Sequence, residues 1–293
     1  MADLNMAVTA PATTAKRRII PLEIYIGGAL LIIMGALAIF APLIAPYDPQ
    51  SINPSSRLAP ASAEHWLGTD RMGRDIFTRV IYGSRSSLIV GLAVAALAIG
   101  IGLIIGLVAG FIRSLDGLIM RIMDGLMAIP AILLAITIIA LIGPSVWNLV
   151  IVLAIPDIPR VVRVVRSVVL SVREEPYVEA ARTLGTPTIP MMVRHILPNT
   201  IAPLIVLTSY ICAGAVLAEA ALSFLGVGLP PEVPSWGNMI SEGRVVFQLS
   251  PMIVFIPGIL LSVTVLGINL VGDGLRDLLD PKRSHFALGG KKA

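Results

Sequence analysis

Two carboxylates, Glu219 and Asp157, fall within or beside long apolar runs of this 293-residue chain. An ionised side chain at mid-bilayer costs about 2.5–3.5 kcal/mol even on the lenient insertion scale, so both need a reason to be there. Glu219 could line a transport pathway and meet a cationic group on a substrate, or it could bond to a neighbouring helix. Asp157 has Arg160 one helical turn further on, which points to a structural ion pair near a membrane boundary rather than to a transport site. Enzymatic chemistry finds less footing. His65, His195 and His285 stand alone, with no H-E-x-x-H and no Cys/His pairing. Cys212 is the single cysteine, sits in an apolar run and can form no internal disulfide. Neither G-x-x-x-x-G-K-[ST] nor G-x-S-x-G occurs, so catalysis, ATP hydrolysis included, must come from another polypeptide.

The elements that would hold these residues are hydrophobic helices. The chain is 56% hydrophobic and 14% charged, where a soluble domain carries about a quarter charged residues. Its apolar residues cluster into runs close to the ~20 residues that cross a bilayer. The predicted spans are Ile24 to Ile44, Ser87 to Ile112, Leu126 to Ile142, Val146 to about Val162, Ile201 to Leu222 and Met252 to Val271. The fourth is the least apolar, since it contains Asn148, Pro156 and Asp157 and meets Arg160 at once. The first run exceeds the ~7–15 residues of a signal-peptide core and reads as a retained span.

Lys and Arg collect in short cytoplasmic connections, which sets the orientation. Lys16, Arg17 and Arg18 precede the first span; Arg113 and Arg121 follow the second; Arg160, Arg163, Arg166, Arg173, Arg182 and Arg194 follow the fourth; Lys282, Arg283, Lys291 and Lys292 follow the sixth. All fall on one side only with six spans, which places both termini in the cytoplasm. The net charge of +4 is thus a topology signal, not a nucleic-acid surface. The expected plan is a tail over 1–23, a first span over 24–44, an extracytoplasmic insert over 45–86, a five-span core over 87–275 and a tail over 276–293. Within the insert, Ile76, Phe77, Val80 and Ile81 recur at helical spacing, predicting an amphipathic surface helix or a solvated loop helix.

The connection between the fourth and fifth spans, over 173–198, is unlike an ordinary loop. Pro176 can open a helix, Val178 to Leu184 are good helix formers, and Gly185 ends it. Pro187 and Pro190 predict a turn before a second short helix from Met191 to Leu197, and Pro198 introduces the next span.

Glu179-Ala180-Ala181, then Gly185, then Leu197-Pro198 at the expected distance resembles the EAA signature of membrane subunits of binding-protein-dependent ABC importers. His195 stands where that signature favours Ile. Leu67-Gly68-Thr69-Asp70-Arg71-Met72-Gly73-Arg74-Asp75 with Arg79, Gly83 and Arg85 is similar to the C-type permeases of dipeptide, oligopeptide and nickel importers. So are Leu222 to Gly226, Pro234-Ser235-Trp236-Gly237 and Gly272 to Asp277 with Asp280-Pro281. Ile155 to Pro159 departs from the aromatic-rich stretch of that group.

The resemblance implies an all-α membrane protein of type I ABC importer permease form with six transmembrane helices, in a bacterial plasma (inner) membrane. It implies a small-peptide substrate, or nickel or another small solute. The implied partners are a homologous permease subunit, two cytoplasmic ATPases that bind the ATP, an extracytoplasmic solute-binding protein and membrane lipid, with no cofactor in this chain. By the same resemblance, Glu179 would touch the ATPase or brace the loop, Ala180 and Ala181 would permit close helix approach, and Gly185 would supply the bend. Gly226, Gly228, Pro230, Pro231 and Pro234 would stiffen a turn facing the binding protein, or serve as ordinary loop punctuation. Two other classes remain: an ion-coupled secondary transporter, which would carry ionisable residues deep in several spans, and a membrane scaffold or sensor.

Overall fold

Apolar helices account for most of the computed structural model, which describes residues 20–279. The tail cations, Asp280-Pro281 and His285 lie outside those residues. Helix α1 (Leu22–Ile39) is followed by the single turn α2 (Ala41–Ile44), which opens with Pro42 in its first turn. The insert then leads to α3 (Ile76–Phe111), capped by Asp75, whose Oδ2 accepts the Thr78 N–H at 2.8 Å. At 36 residues, α3 rises about 54 Å and outruns a ~30 Å hydrocarbon core. Ile76 to Ile81 are therefore not a separate surface helix but the extension of the second apolar helix into the insert. No proline interrupts the helix there, and Ile76 and Val80 bury against Met239 and Ile253, an anchor a free surface helix would lack.

Pro130 separates α4 (Arg113–Met127) from α5 (Ala131–Ile142), and the two are bent by 85°. Gly143, at φ +83°, ends α5, and Ser145 caps α6 (Val146–Ala154) by accepting the Asn148 N–H at 3.1 Å. Then come α7 (Ile158–Val172), α8 (Pro176–Thr183), α9 (Thr188–Met191), a π-helical turn at Met192–Ile196, α10 (Leu197–Phe224), α11 (Trp236–Arg244) and α12 (Met252–Leu279).

Among the described residues, four helical stretches are long and apolar enough to cross a membrane: Leu22–Ile39, Ile76–Phe111, Thr188–Phe224 and Met252–Leu279. Taking the bent α4–α5 pair as one broken span makes five. The predicted fourth span does not add to that count, because it divides at Ile155–Asp157 into a nine-residue α6 and an α7 whose polar side carries Arg160, Arg163 and Arg166. The fifth begins earlier than predicted. Pro190 falls in the first turn, where its missing N–H would have no partner anyway, so the helix starts at Thr188 instead of turning there. The π-turn before Pro198, with the Leu197 N–H reaching the Met192 carbonyl, carries the helix on into α10.

The core is organised around α3. Gly102, Gly106 and Gly110 meet Val161, Val165 and Val169 of α7 in the same order along both helices, so the two run parallel. A methyl group built on those glycines would lie 2.5, 2.7 and 2.6 Å from the respective valine Cβ atoms, closer than packing allows. Glycine at every fourth position is what permits this approach where lipid supplies no hydrophobic drive between helices. Nearer the N-terminus of α3, Gly91 makes room for Val216 and Cys212 of α10.

Candidate functional site

The segment from Arg173 to Pro198 forms a compact hairpin at one end of the bundle. Pro176 opens α8, and Gly185 at φ +79° closes it in a Schellman turn, with the Thr186 N–H donating to the Ala181 carbonyl and the Gly185 N–H to that of Arg182, each at 3.0 Å. The hairpin is held by little apolar surface. Val178, Ala181 and Met191 are buried together against Phe111 at the end of α3 and Val172 at the end of α7. Arg173 Nη1 donates to the Gly110 carbonyl at 3.1 Å, tying α7 to the same end of α3. On the α10 side, Asn199 Nδ2 donates to the His195 carbonyl at 2.8 Å and to the Tyr177 hydroxyl at 3.2 Å.

Of the residues singled out in sequence, Ala181 faces this small core and Leu197 is half-buried, whereas Glu179, Ala180, Gly185 and Pro198 are exposed. Only the second alanine of the pair makes a close approach within this chain. Around the exposed residues lies an apolar surface that includes Leu184, 86% exposed, Ile189, 73% exposed, and Val193. Val178 and Met191 were not singled out; the i, i+3 spacing of Val178 and Ala181 was the available signal. Next to the hairpin, α4 is pinned to α7 by Arg166 Nη2 on Asp116 at 2.6 Å and Arg163 Nη2 on Asp124 at 2.6 Å.

Glu219 is fully buried between α3 and α10. Ser87 donates to its Oε2 at 3.1 Å and Ser223 to its Oε1 at 2.9 Å, so the carboxyl bridges the two helices and no part of it is exposed. Asp157 pairs with Arg160 at 2.9 Å, as their spacing predicts.

The insert end is a denser polar construction. Asp70 accepts the Met72 and Arg74 N–H groups at 2.8 and 3.0 Å on one oxygen, and Arg74 Nε and Arg79 Nη1 at 2.7 and 2.5 Å on the other. Glu242 of α11 receives Arg74 at 2.5 Å and Arg79 at 2.7 Å. Burial works against the Asp70 charge, yet Arg79, the two N–H groups and Arg74 together hold its carboxyl below the usual carboxylate range. Trp236, fully buried, donates to the Val80 carbonyl at 3.1 Å, and Asn238 Nδ2 donates to the carbonyls of Leu229, Pro230 and Val233. Glu242 and Asn238 carry much of this end. Neither has a local sequence signal, because their partners lie in the distant insert or along an irregular loop.

Among the described residues, no group of three or more His, Cys, Asp or Glu is placed to hold a metal ion.

Residues 98–285 match the family described as binding-protein-dependent transport system inner membrane component. Residues 25–61 match the N-terminal TM domain of oligopeptide transport permease C. The chain is 52% identical to a probable peptide ABC transporter permease protein of Sinorhizobium fredii, over 88% of this chain and 89% of the relative. It is 48% identical to a dipeptide transport system permease protein of Alkalihalophilus pseudofirmus, over 84% of this chain and 81% of that one. A di/tripeptide transport system permease protein of Pseudomonas aeruginosa is 42% identical, over 89% of each.

Proposed function

This chain belongs to the family of binding-protein-dependent transport system inner membrane components, and from that premise we propose that it forms half of the translocation path of an ATP-driven importer of di- and oligopeptides. It is a multi-pass inner-membrane permease and a transport component. Relatives named for peptide, dipeptide and di/tripeptide transport favour peptides over nickel as the substrate. In this reading the chain crosses the membrane six times, with α4–α5 and α6–α7 each serving as one broken span. The loop from Ala45 to Asp75 then lies outside with α11, and both termini and the hairpin lie in the cytoplasm. A homologous permease subunit completes the path, two ATPases supply the hydrolysis, and a solute-binding protein delivers the peptide at the insert end.

The observation that carries the coupling role is the α8–α9 hairpin, whose apolar surface around Leu184 and Ile189 faces away from the bundle. Glu179, Ala180, Gly185 and Pro198 share the hairpin with that surface, while Ala181 and Leu197 seat it on the ends of α3, α7 and α10. Closure of an ATPase dimer against the hairpin would move those three helices together, the rigid-body rocking that alternating access requires. Changing Glu179→Lys reverses the charge beside this surface, and Gly185→Val places a branched side chain at φ +79°. Both variants are expected to lower ATPase co-purification and ATP-dependent dipeptide uptake together. Normal values for both measurements in both variants would sink the coupling role.

A further inference from the structure

A cavity of about 250 Å³ opens between α5, the α6–α7 break and α10. Its walls are apolar, with Ala135, Leu153 and Ile211 among them, and its polar groups are Asp157, Arg160 and Tyr210. Two interrupted helices meet here: Ala131 begins α5 just after the 85° bend, and Pro156 and Asp157 form the break after α6. Counted from the turn at Gly143–Ser145, Asp157 lies roughly 16 Å along the helix rise, near the middle of a ~30 Å hydrocarbon core.

An ion pair at that depth does not face hydrocarbon without a large cost, so this face of the chain borders water or protein. The pair is also incompletely used. Asp157, 19% exposed, and Arg160, 57% exposed, engage one oxygen and one nitrogen in their mutual contact at 2.9 Å. A guanidinium has five donors and a carboxylate several acceptor sites. Tyr210 at the same cavity is held by its hydroxyl on Asp273 of α12 at 2.5 Å, which fixes the aromatic wall.

We infer that this cavity is a transient subsite for the transported peptide, with Asp157 receiving its terminal ammonium, Arg160 its carboxylate, and the apolar wall one hydrocarbon side chain. Only a zwitterion with an apolar flank uses both charges and the wall at once. The volume falls below the ~300–1,000 Å³ of sites that enclose a drug-sized ligand, so it suits a dipeptide in passage, touched at its two charged ends and one side chain, rather than a stored and enclosed substrate. The inference rests on the peptide-import reading above and assigns residues to it.

The test uses the complete transporter, with its ATPases and binding protein, in proteoliposomes supplied with leucyl-leucine. Asp157→Asn keeps the size and a hydrogen-bonding group while removing the charge; at saturating loaded binding protein its uptake rate is expected to fall roughly tenfold, with ATPase co-purification unchanged. A second measurement is independent of that variant. Gly214 lines the same cavity, and a side chain built there meets open space. In a Cys212→Ala background, Gly214→Cys should react with a membrane-impermeant maleimide in the assembled complex, and the reaction should slow severalfold during leucyl-leucine transport. Wild-type uptake by Asp157→Asn would overturn the inference, and so would labelling that ignores the dipeptide. Labelling of the isolated chain but not of the complex would overturn it too, by showing that the partner subunit fills the cavity. Failure of the unmodified transporter to accumulate leucyl-leucine is a different result: it removes the peptide-import reading, and the subsite with it.

Discussion

At the insert end, two guanidinium groups and two carboxylates are interlocked, a fully buried Trp236 donates to the Val80 carbonyl, and Asn238 holds three loop carbonyls with one amide nitrogen. At the hairpin end, a segment of similar length rests on Val178, Ala181 and Met191 and leaves Leu184 and Ile189 in the open. The first end is over-determined by contacts within this one chain. The second rests on few contacts and leaves its apolar side uncovered within this chain. A surface that must keep its form while a soluble partner docks and leaves is served by the first design, and a surface that must seat in another subunit's groove by the second.

The comparison is broken most directly at Arg79. Changing Arg79→Met keeps much of the side-chain length but leaves Asp70 and the Arg74–Glu242 pair without their shared cation in a site where Asp70 is 1% exposed. Breaking a buried ion cluster from one side costs about 3–5 kcal/mol, and unfolding of the purified protein in lipid nanodiscs should show a loss of that order. The hairpin lies at the other end of α3, so the fraction that remains folded should still retain the ATPases. A change below about 1 kcal/mol, as for an exposed pair, would mean that the cluster is solvated and the two ends are not built differently.

A smaller effect follows from protonating one member of that cluster. The Asp70 carboxyl is held below its usual range, so its charge contributes stability above the unfolded value of about 3.9, and that contribution fades as pH falls through it toward the folded value. The thermal midpoint of Asp70→Asn should therefore lie below that of the unaltered protein by a constant gap above about pH 5, and the gap should narrow below about pH 4. A gap that stays constant down to pH 3 would place the contribution of Asp70 in its shape and hydrogen bonds rather than in its charge.

The two ends also differed in how far they could be read from sequence. The hairpin was legible because its determinants are local: Pro176 to start, Gly185 to stop, and the Glu-Ala-Ala spacing between them. Where it misled, the fault was in Pro190, which marks a break by propensity but is absorbed by a helix start, whereas Pro198 lies in the first turn of α10 as expected. At the insert end, the Leu67–Asp75 motif was visible but its partner was not, because Glu242 reaches Arg74 and Arg79 from 168 and 163 residues away. The division of α6 from α7 was likewise hidden. Gly102, Gly106 and Gly110 acquire meaning only opposite Val161, Val165 and Val169, and that facing is a property of the packed pair. For the same reason Asp157 looked like half of a local ion pair, and its second neighbourhood, the cavity beside α5 and α10, depended on three helices meeting.

The mildest perturbation is the sharpest test of the contrast, because stability and assembly should separate in it. Leu184→Ser combined with Ile189→Ser alters side chains that are 86% and 73% exposed in this chain and touch its core little, so the unfolding free energy should change by no more than about 0.5 kcal/mol. If the same side chains bury in a groove of an ATPase subunit, each gives up about 1.5–3 kcal/mol of transfer free energy on becoming polar, and ATPase co-purification should fall by an order of magnitude or more. Loss of stability without loss of co-purification would reverse the argument: the apolar patch would then support the hairpin itself, and the seat for the ATPase would have to be sought among the exposed polar groups around Glu179 and Arg182.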